Sequence, residues 1–183
     1  MRAWAVGQAT ALAQGMRLLG TRAAQSWPEF AELECYQCHH DLRLESWRIQ
    51  RGYAGRKPGS LQLNQARTEV VRVLVGQAAP EQKAALETAL SQVASRVQDG
   101  AAVGQGAVRV AELAEALAAR WEKQDFTAAQ VRALIQGLVT DTGRLAGAGV
   151  NAAEVATMSL DSLAAAVSGN RSEERRVGKE CRL

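Results

Sequence analysis

Two cysteines and a histidine share one five-residue run of the chain, Cys35-Tyr36-Gln37-Cys38-His39. On a helical turn, cysteines three residues apart project to the same side, so that each sulfur can form a thioether with one vinyl group of the same haem. The histidine that follows then lies under the iron and can supply an axial nitrogen. The run therefore predicts a covalently bound haem c, held by Cys35 and Cys38, with His39 as the proximal iron ligand.

Three other uses of these residues are left open. A redox-active dithiol is one, but such pairs normally begin a helix in a strand–helix–strand context, and no convincing strand is visible in the sequence. A zinc site is another, and it needs four ligands in a tetrahedral array. The only plausible set in this chain is Cys35, Cys38, His39 and His40. Adjacent histidines are poorly placed to bind one small ion together, so a zinc ion shared between two chains is the form of this site that remains. The third use is an inert pair of buried cysteines.

The remaining histidine and the methionines are the candidates for further iron ligation. His40 directly follows the proximal ligand, so the backbone directs it away from the iron that His39 binds. It suits either the iron of a neighbouring haem or a surface position. For the distal position of the first haem, the credible side chains are Met16 and Met158. Methionines are more often core residues, and the alternatives are an iron with five ligands or a distal ligand from residues absent from this chain.

The surroundings of the motif are aromatic and then basic. A haem is a large, flat, apolar surface that aromatic side chains can cover, although a small aromatic core is an equal reading of the same residues. Arginine and lysine can pair with the haem propionates, although a solvated surface position is the more usual role. These residues are Trp27, Phe30, Tyr36, Trp47 and Tyr53, followed by Arg43, Arg48, Arg51, Arg56 and Lys57.

Composition and periodicity predict an all-α fold. Alanine and leucine are abundant, while prolines (3) and aromatic residues (4%) are scarce, a balance that favours helices over sheets. We expect one helix over residues 3–24, an irregular glycine-rich loop over 41–62, and about four to five helices after it. Glycines predict breaks at Gly100 to Gly106 and at Gly143 to Gly149.

Apolar side chains at helical spacing predict which helix faces form the core, and polar residues predict where helices begin. Asn64 and Asn151 are candidate caps, and Thr127 with Gln130 forms a capping-box pattern. The predicted stripes are Leu12, Met16 and Leu19; Val70, Val71, Leu74 and Val75; Leu86, Leu90, Val93 and Val97; Val110, Leu113, Leu117 and Trp121; Val131, Leu134, Ile135 and Leu138; and Leu160, Leu163 and Val167.

Three segments organise the 183-residue chain. Residues 1–62 hold the first helix, the attachment motif and the loop; residues 63–169 form the helical array. Residues 170–183 resemble a translated vector or adapter sequence, so we exclude this tail, with its Cys181, from functional reasoning. The net charge of +3 and the lack of a concentrated basic face argue against nucleic-acid binding, and no apolar run is long enough for a membrane span.

The stretch from Trp27 to Ser60 resembles the last haem site of exported bacterial multihaem cytochromes, similar to the tetrahaem cytochrome of nitrifying bacteria. The likeness lies in Trp27-Pro28-Glu29-Phe30, Glu34 to Arg43, Ser46-Trp47-Arg48, Arg51-Gly52-Tyr53 and Gly55 to Ser60. The resemblance covers less than half of the chain. It implies haem attachment at Cys35 and Cys38, axial ligation by His39, and His40 as a candidate ligand of a second haem.

The chain departs from that family in carrying one haem motif where several are expected. An export signal and upstream motifs are also missing, so we expect an N-terminally truncated piece of a larger protein. The resemblance implies an electron carrier rather than a catalyst, exported to the periplasm, whose partners are redox proteins or the missing haem domains. A helical structural or interaction module without a redox role, holding zinc or no metal, is the alternative.

Overall fold

The computed structural model describes residues 1–35, 39, 41, 43–46 and 60–168, and most of these residues are helical. The all-α prediction is confirmed: these residues form seven α-helices and a 3-10 turn at Phe30–Glu32, without a β-strand. Six helices follow the attachment segment, where about four to five are expected. The helices are α1 Arg2–Gln25, α2 Ala66–Ala78, α3 Pro80–Ser95, α4 Gly100–Trp121, α5 Ala128–Thr140, α6 Thr142–Gly147 and α7 Val150–Ser168.

Helix α2 lies at the centre of the fold. It contacts α1, α3, α5 and α7, and eight of its 13 residues are buried. The run Val70-Val71-Arg72-Val73-Leu74-Val75 is apolar around nearly the whole helix, a pattern typical of a helix covered on several sides. The predicted stripe of this helix, Val70, Val71, Leu74 and Val75, is completely buried.

Helices α1 and α4 form the most extensive helix pair of the fold. Their contact depends on small side chains, because both helices bury alanines that allow two backbones to approach closely: Ala5, Ala9 and Ala13 on α1, and Ala107, Ala111 and Ala114 on α4. Helix α1 therefore belongs to the same hydrophobic core as the helices of residues 63–169.

The other predicted stripes are buried with few exceptions. Met16, Leu113, Ile135 and Leu160 are only partly buried at the edge of the core. Val167 does not belong to the core, because its side chain is exposed near the end of α7. An amphipathic pattern indicates the apolar face of a helix, but it does not tell whether a neighbouring helix reaches the last turn.

The predicted break at Gly100 to Gly106 is wrong, because helix α4 begins at Gly100 and continues through these glycines. Asp99 starts the helix, its side chain accepting a hydrogen bond from the Ala102 amide at 3.1 Å. At Gly106 a Cβ atom would lie 2.6 Å from Cγ2 of Val93 on α3. The glycine thus allows close helix packing, which outweighs its cost of about 1 kcal/mol in helix propensity.

The predicted break at Gly143 to Gly149 is partly helical, since α6 occupies Thr142–Gly147. The last helix begins at Val150, one residue before the predicted cap Asn151. Only Gly149 in this stretch adopts a positive φ, of 120°. Residues 169–183, including the predicted non-native tail and Cys181, lie outside the described residues.

The capping box at the start of α5 is confirmed. The Gln130 amide donates to Oγ1 of Thr127 at 3.3 Å, and the Thr127 amide donates to the side chain of Gln130 at 2.9 Å. We expect Thr127→Ala to lower the free energy of unfolding by about 1 kcal/mol, because the Gln130 amide loses the hydroxyl that accepts its hydrogen bond. Urea unfolding followed by circular dichroism measures this loss.

A matched control for the cap variant is Thr157→Ala, in the exposed interior of α7, where Oγ1 only returns a hydrogen bond to the Ala153 carbonyl. Alanine is the better helix former there, so stability should stay the same or rise slightly. Equal losses in both variants would mean that the capping box contributes nothing to stability.

Candidate functional site

The segment that carries the attachment motif is tied to the helical body at both ends. The Glu34 amide donates to the Gln62 carbonyl at 2.8 Å, and the Asn64 amide donates to the Glu32 carbonyl at 2.9 Å. Leu33 and Leu63 form an isolated antiparallel bridge between these two contacts. We call the paired residues 32–34 and 62–64 the loop root. The chain therefore departs from the helical body after Glu34 and rejoins it at Gln62, beside the same residue.

The loop root is joined to helix α2 through Asn64. Its Oδ1 accepts a hydrogen bond from the amide of Ala66, the first helical residue, at 2.9 Å. The predicted cap is therefore one residue off: Gln65 is the N-cap of α2, and Asn64 bonds the first helical amide from the position before it. The attachment segment is therefore connected to the most buried helix of the fold by hydrogen bonds of the backbone and of one side chain.

Cys35 and His39 are the two described residues of the motif, one and five positions after Glu34. The His39 amide donates to the Cys35 carbonyl at 2.8 Å, the spacing of one α-helical turn. Residues four apart on such a turn lie on one face. Both are exposed, and Cys35 is not in a disulfide. Cys38 and His40 lie outside the described residues, so their predicted roles stay predictions.

The described part of the motif fits a covalently bound haem. Cys35 and His39 are both exposed and lie outside the packed core, as residues that bind a large cofactor must. Two large apolar side chains close to the motif in sequence are also exposed to solvent, Phe30 by 74% and Leu44 by 81%. A flat apolar ring bound nearby could cover such surface.

The other aromatic and basic residues of this region are only partly described. The side chain of Trp27 is directed to the helical body, since its Nε1 donates to the Val97 carbonyl at 2.7 Å. Arg43 is exposed and lies 3.8 Å from a carboxylate oxygen of Asp41. The remaining candidates for covering a haem or pairing with its propionates lie outside the described residues: Tyr36, Trp47, Tyr53, Arg48, Arg51, Arg56 and Lys57.

The two methionine candidates for the distal position differ in their surroundings. Met16 on α1 is partly buried and lines a cavity of about 310 Å³ together with Ala31 and Leu63, which flank the attachment segment. Met158 is 70% exposed on α7. The position of Met16 beside the loop root makes it the better placed of the two, and its ligation stays a prediction.

A zinc site assembled from the motif stays a prediction as well. Within residues 1–35, 39, 41, 43–46 and 60–168, no three Cys, His, Asp or Glu side chains come close enough together to hold a metal ion. Two of the four ligands that were considered, Cys38 and His40, are outside this range.

Glu34 is a residue of this site that sequence reasoning missed. It immediately precedes Cys35, yet it is only 4% exposed. Its carboxylate lies against Gly149: a Cβ atom built there would be 2.5 Å from Oε2 and 2.7 Å from Cδ of Glu34. The contact places a carboxylate beside the first turn of α7, whose N-terminal end favours negative charge. No local sequence pattern connects the two residues.

A second buried carboxylate, Glu69, lies on α2. Its side chain is 1% exposed and forms ion pairs with Arg72 and Arg144. Arg72 also reaches Glu87 on α3 at 3.1 Å, and Arg144 reaches Asp141 at 2.9 Å. Burial lowers the pKa of Arg144. We call these five residues the Glu69 network; it joins α2 to α3 and α6.

The Glu69 network borders an open cleft of about 670 Å³, lined by both arginines. The two arginines at this cleft pair with carboxylates of the same network, so each arginine already has partners. This arrangement indicates a structural role in joining the helices. The sequence does contain a signal for this network: Glu69 is the single acidic residue of α2 and directly precedes its apolar run.

Among the described helices, none combines the length and the apolar character that crossing a membrane requires. Comparison of the chain with protein-family models, with curated proteins and with solved structures gives no match.

Proposed function

We propose that the chain transfers electrons through one covalently bound haem c, as part of a multihaem cytochrome. The attachment motif carries the proposal, because its two described ends, Cys35 and His39, lie exposed on one turn. The anchoring of that turn at the loop root supports it further, since a redox cofactor has to be held at a defined place on the protein.

In this proposal the residues of the motif hold the cofactor. The thiols of Cys35 and Cys38 each add across one vinyl double bond: sulfur bonds to one carbon, the thiol proton passes to the other, and nothing is released. His39 gives its imidazole nitrogen to the iron. When bound, the haem supplies one-electron oxidation and reduction of its iron. His40 is proposed as a ligand to the iron of a neighbouring haem.

The proposal also implies a location and partners. Haem c is attached on the outer side of the cytoplasmic membrane, so the parent protein is proposed to be periplasmic or otherwise exported. Its partners are proposed to be redox proteins or further haem domains of the parent chain. The alternative remains a helical interaction module, with zinc or without a metal.

Expression of the full chain behind an export signal, in cells that carry cytochrome c maturation proteins, tests the proposal. The expected result is a red protein whose mass rises by one haem and whose band stains for peroxidase in a denaturing gel. A colourless protein would contradict the proposal. The zinc content of chain purified from the cytoplasm then separates the two forms of the alternative: the zinc-binding form predicts one equivalent for each chain or for each pair of chains, and the metal-free form predicts none.

A further inference from the structure

The contact between Glu34 and Gly149 joins the attachment turn to the last helix. Glu34 is the final residue of the loop root, and the next residue is the first attachment cysteine. Its amide is bonded to Gln62 at 2.8 Å, and its carboxylate lies against Gly149. Both the backbone and the side chain of the residue before Cys35 are therefore held by the helical body.

Gly149 is suited to this contact in two ways. Its φ of 120° lies in the region that residues with a side chain rarely adopt. The space where a side chain would begin is also filled by the Glu34 carboxylate, at 2.5 Å from Oε2. An alanine at this position must displace Glu34, change the local backbone, or both.

We propose that Glu34 and Gly149 position the attachment turn: the buried Glu34 side chain, seated on Gly149 before α7, sets where Cys35 and His39 lie relative to the helical body. This inference rests on the proposed function, in which that turn holds a haem. Glu34 is a positioning residue, since it acts through the turn that it precedes. Displacement of Glu34 is expected to release the turn while the helical core stays folded.

Amide hydrogen exchange in the full chain without haem tests the proposal directly. The amides of Glu34 and His39 report on the loop root and on the attachment turn, and the amide of Val110, a buried residue in the middle of α4, reports on the core. In Gly149→Ala, exchange at Glu34 and His39 should become about tenfold faster relative to Val110. Exchange that is unchanged, or that rises equally at all three amides, would overturn the proposal.

A control and a second variant keep this test independent of general destabilisation. Gly143→Ala is the control, because Gly143 lies in α6 near Gly149 and a Cβ atom there meets nothing within 4 Å; exchange at Glu34 and His39 relative to Val110 should not become faster. Glu34→Ala should release the turn as Gly149→Ala does. The double variant should be no faster than either single variant, whereas multiplied effects would show that the two residues act separately.

The haem-loaded chain separates this proposal from the proposed function. If the wild type binds haem covalently, Gly149→Ala should still bind it but with a shifted reduction potential, while Gly143→Ala leaves the potential unchanged. An unshifted potential in Gly149→Ala would overturn the positioning role. If the wild type binds no haem, the proposed function fails, and selective exchange at Glu34 and His39 still decides whether the contact positions the turn.

Discussion

Replacement of both Cys35 and Cys38 by serine should abolish covalent haem attachment completely. A serine hydroxyl does not form the thioether, so no bond survives denaturation. The measurement is the haem-to-protein ratio after the variant is made with cytochrome c maturation proteins, from the peroxidase stain of a denaturing gel and from the intact mass. This is the largest effect that the proposed function predicts, because it removes all covalently bound cofactor.

Three further variants separate attachment from ligation. Each single cysteine variant should keep at most one thioether, which shifts the visible band of the pyridine-treated haem. His39→Ala removes the proximal nitrogen and should change the spin state of any iron that remains bound. Cys181→Ser is the matched control in the C-terminal tail and should load haem like the wild type. Full covalent loading of the double serine variant would contradict the assignment of the motif.

Removal of the Glu69 charge should cause the largest loss of stability among the polar substitutions considered. In Glu69→Gln the shape of the side chain is kept, but Arg72 and Arg144 lose the buried carboxylate between them. Breaking a buried ion pair at one partner typically costs 3–5 kcal/mol. Because both arginines also line an open cleft, solvent compensates part of this, and we expect a loss of about 3 kcal/mol.

Urea unfolding followed by circular dichroism measures this loss. Glu112→Gln on α4 is the matched control, since Glu112 and Arg109 form an exposed pair at 3.3 Å; the expected change is below about 0.5 kcal/mol. In the double variant Glu69→Gln with Arg144→Gln, the loss in free energy of unfolding should be smaller than the sum of the two single-variant losses, by about 1–3 kcal/mol. Similar losses in Glu69→Gln and Glu112→Gln would refute the structural role of the Glu69 network.

The sequence by itself determined the helical class and most of the core, and it predicts where a haem would be attached. Stripes such as Leu86, Leu90 and Val93 repeat at helical spacing, and the Thr127 capping box lies within four residues. The cysteine–histidine run is equally local. Such features depend on residues close together in the chain, and their chemistry follows from side-chain type and spacing.

Only the tertiary structure decided the roles of several glycines and charged residues. The sequence predicts a helix break at Gly106, yet this residue lies inside α4. A glycine is needed there because Val93 occupies the space that a side chain would fill. The contact of Glu34 with Gly149 and the ion pair of Glu69 with Arg144 join residues distant in sequence. Helix propensity and periodicity hold no information on these pairings, because they arise only when helices pack and a charge must find a partner away from water.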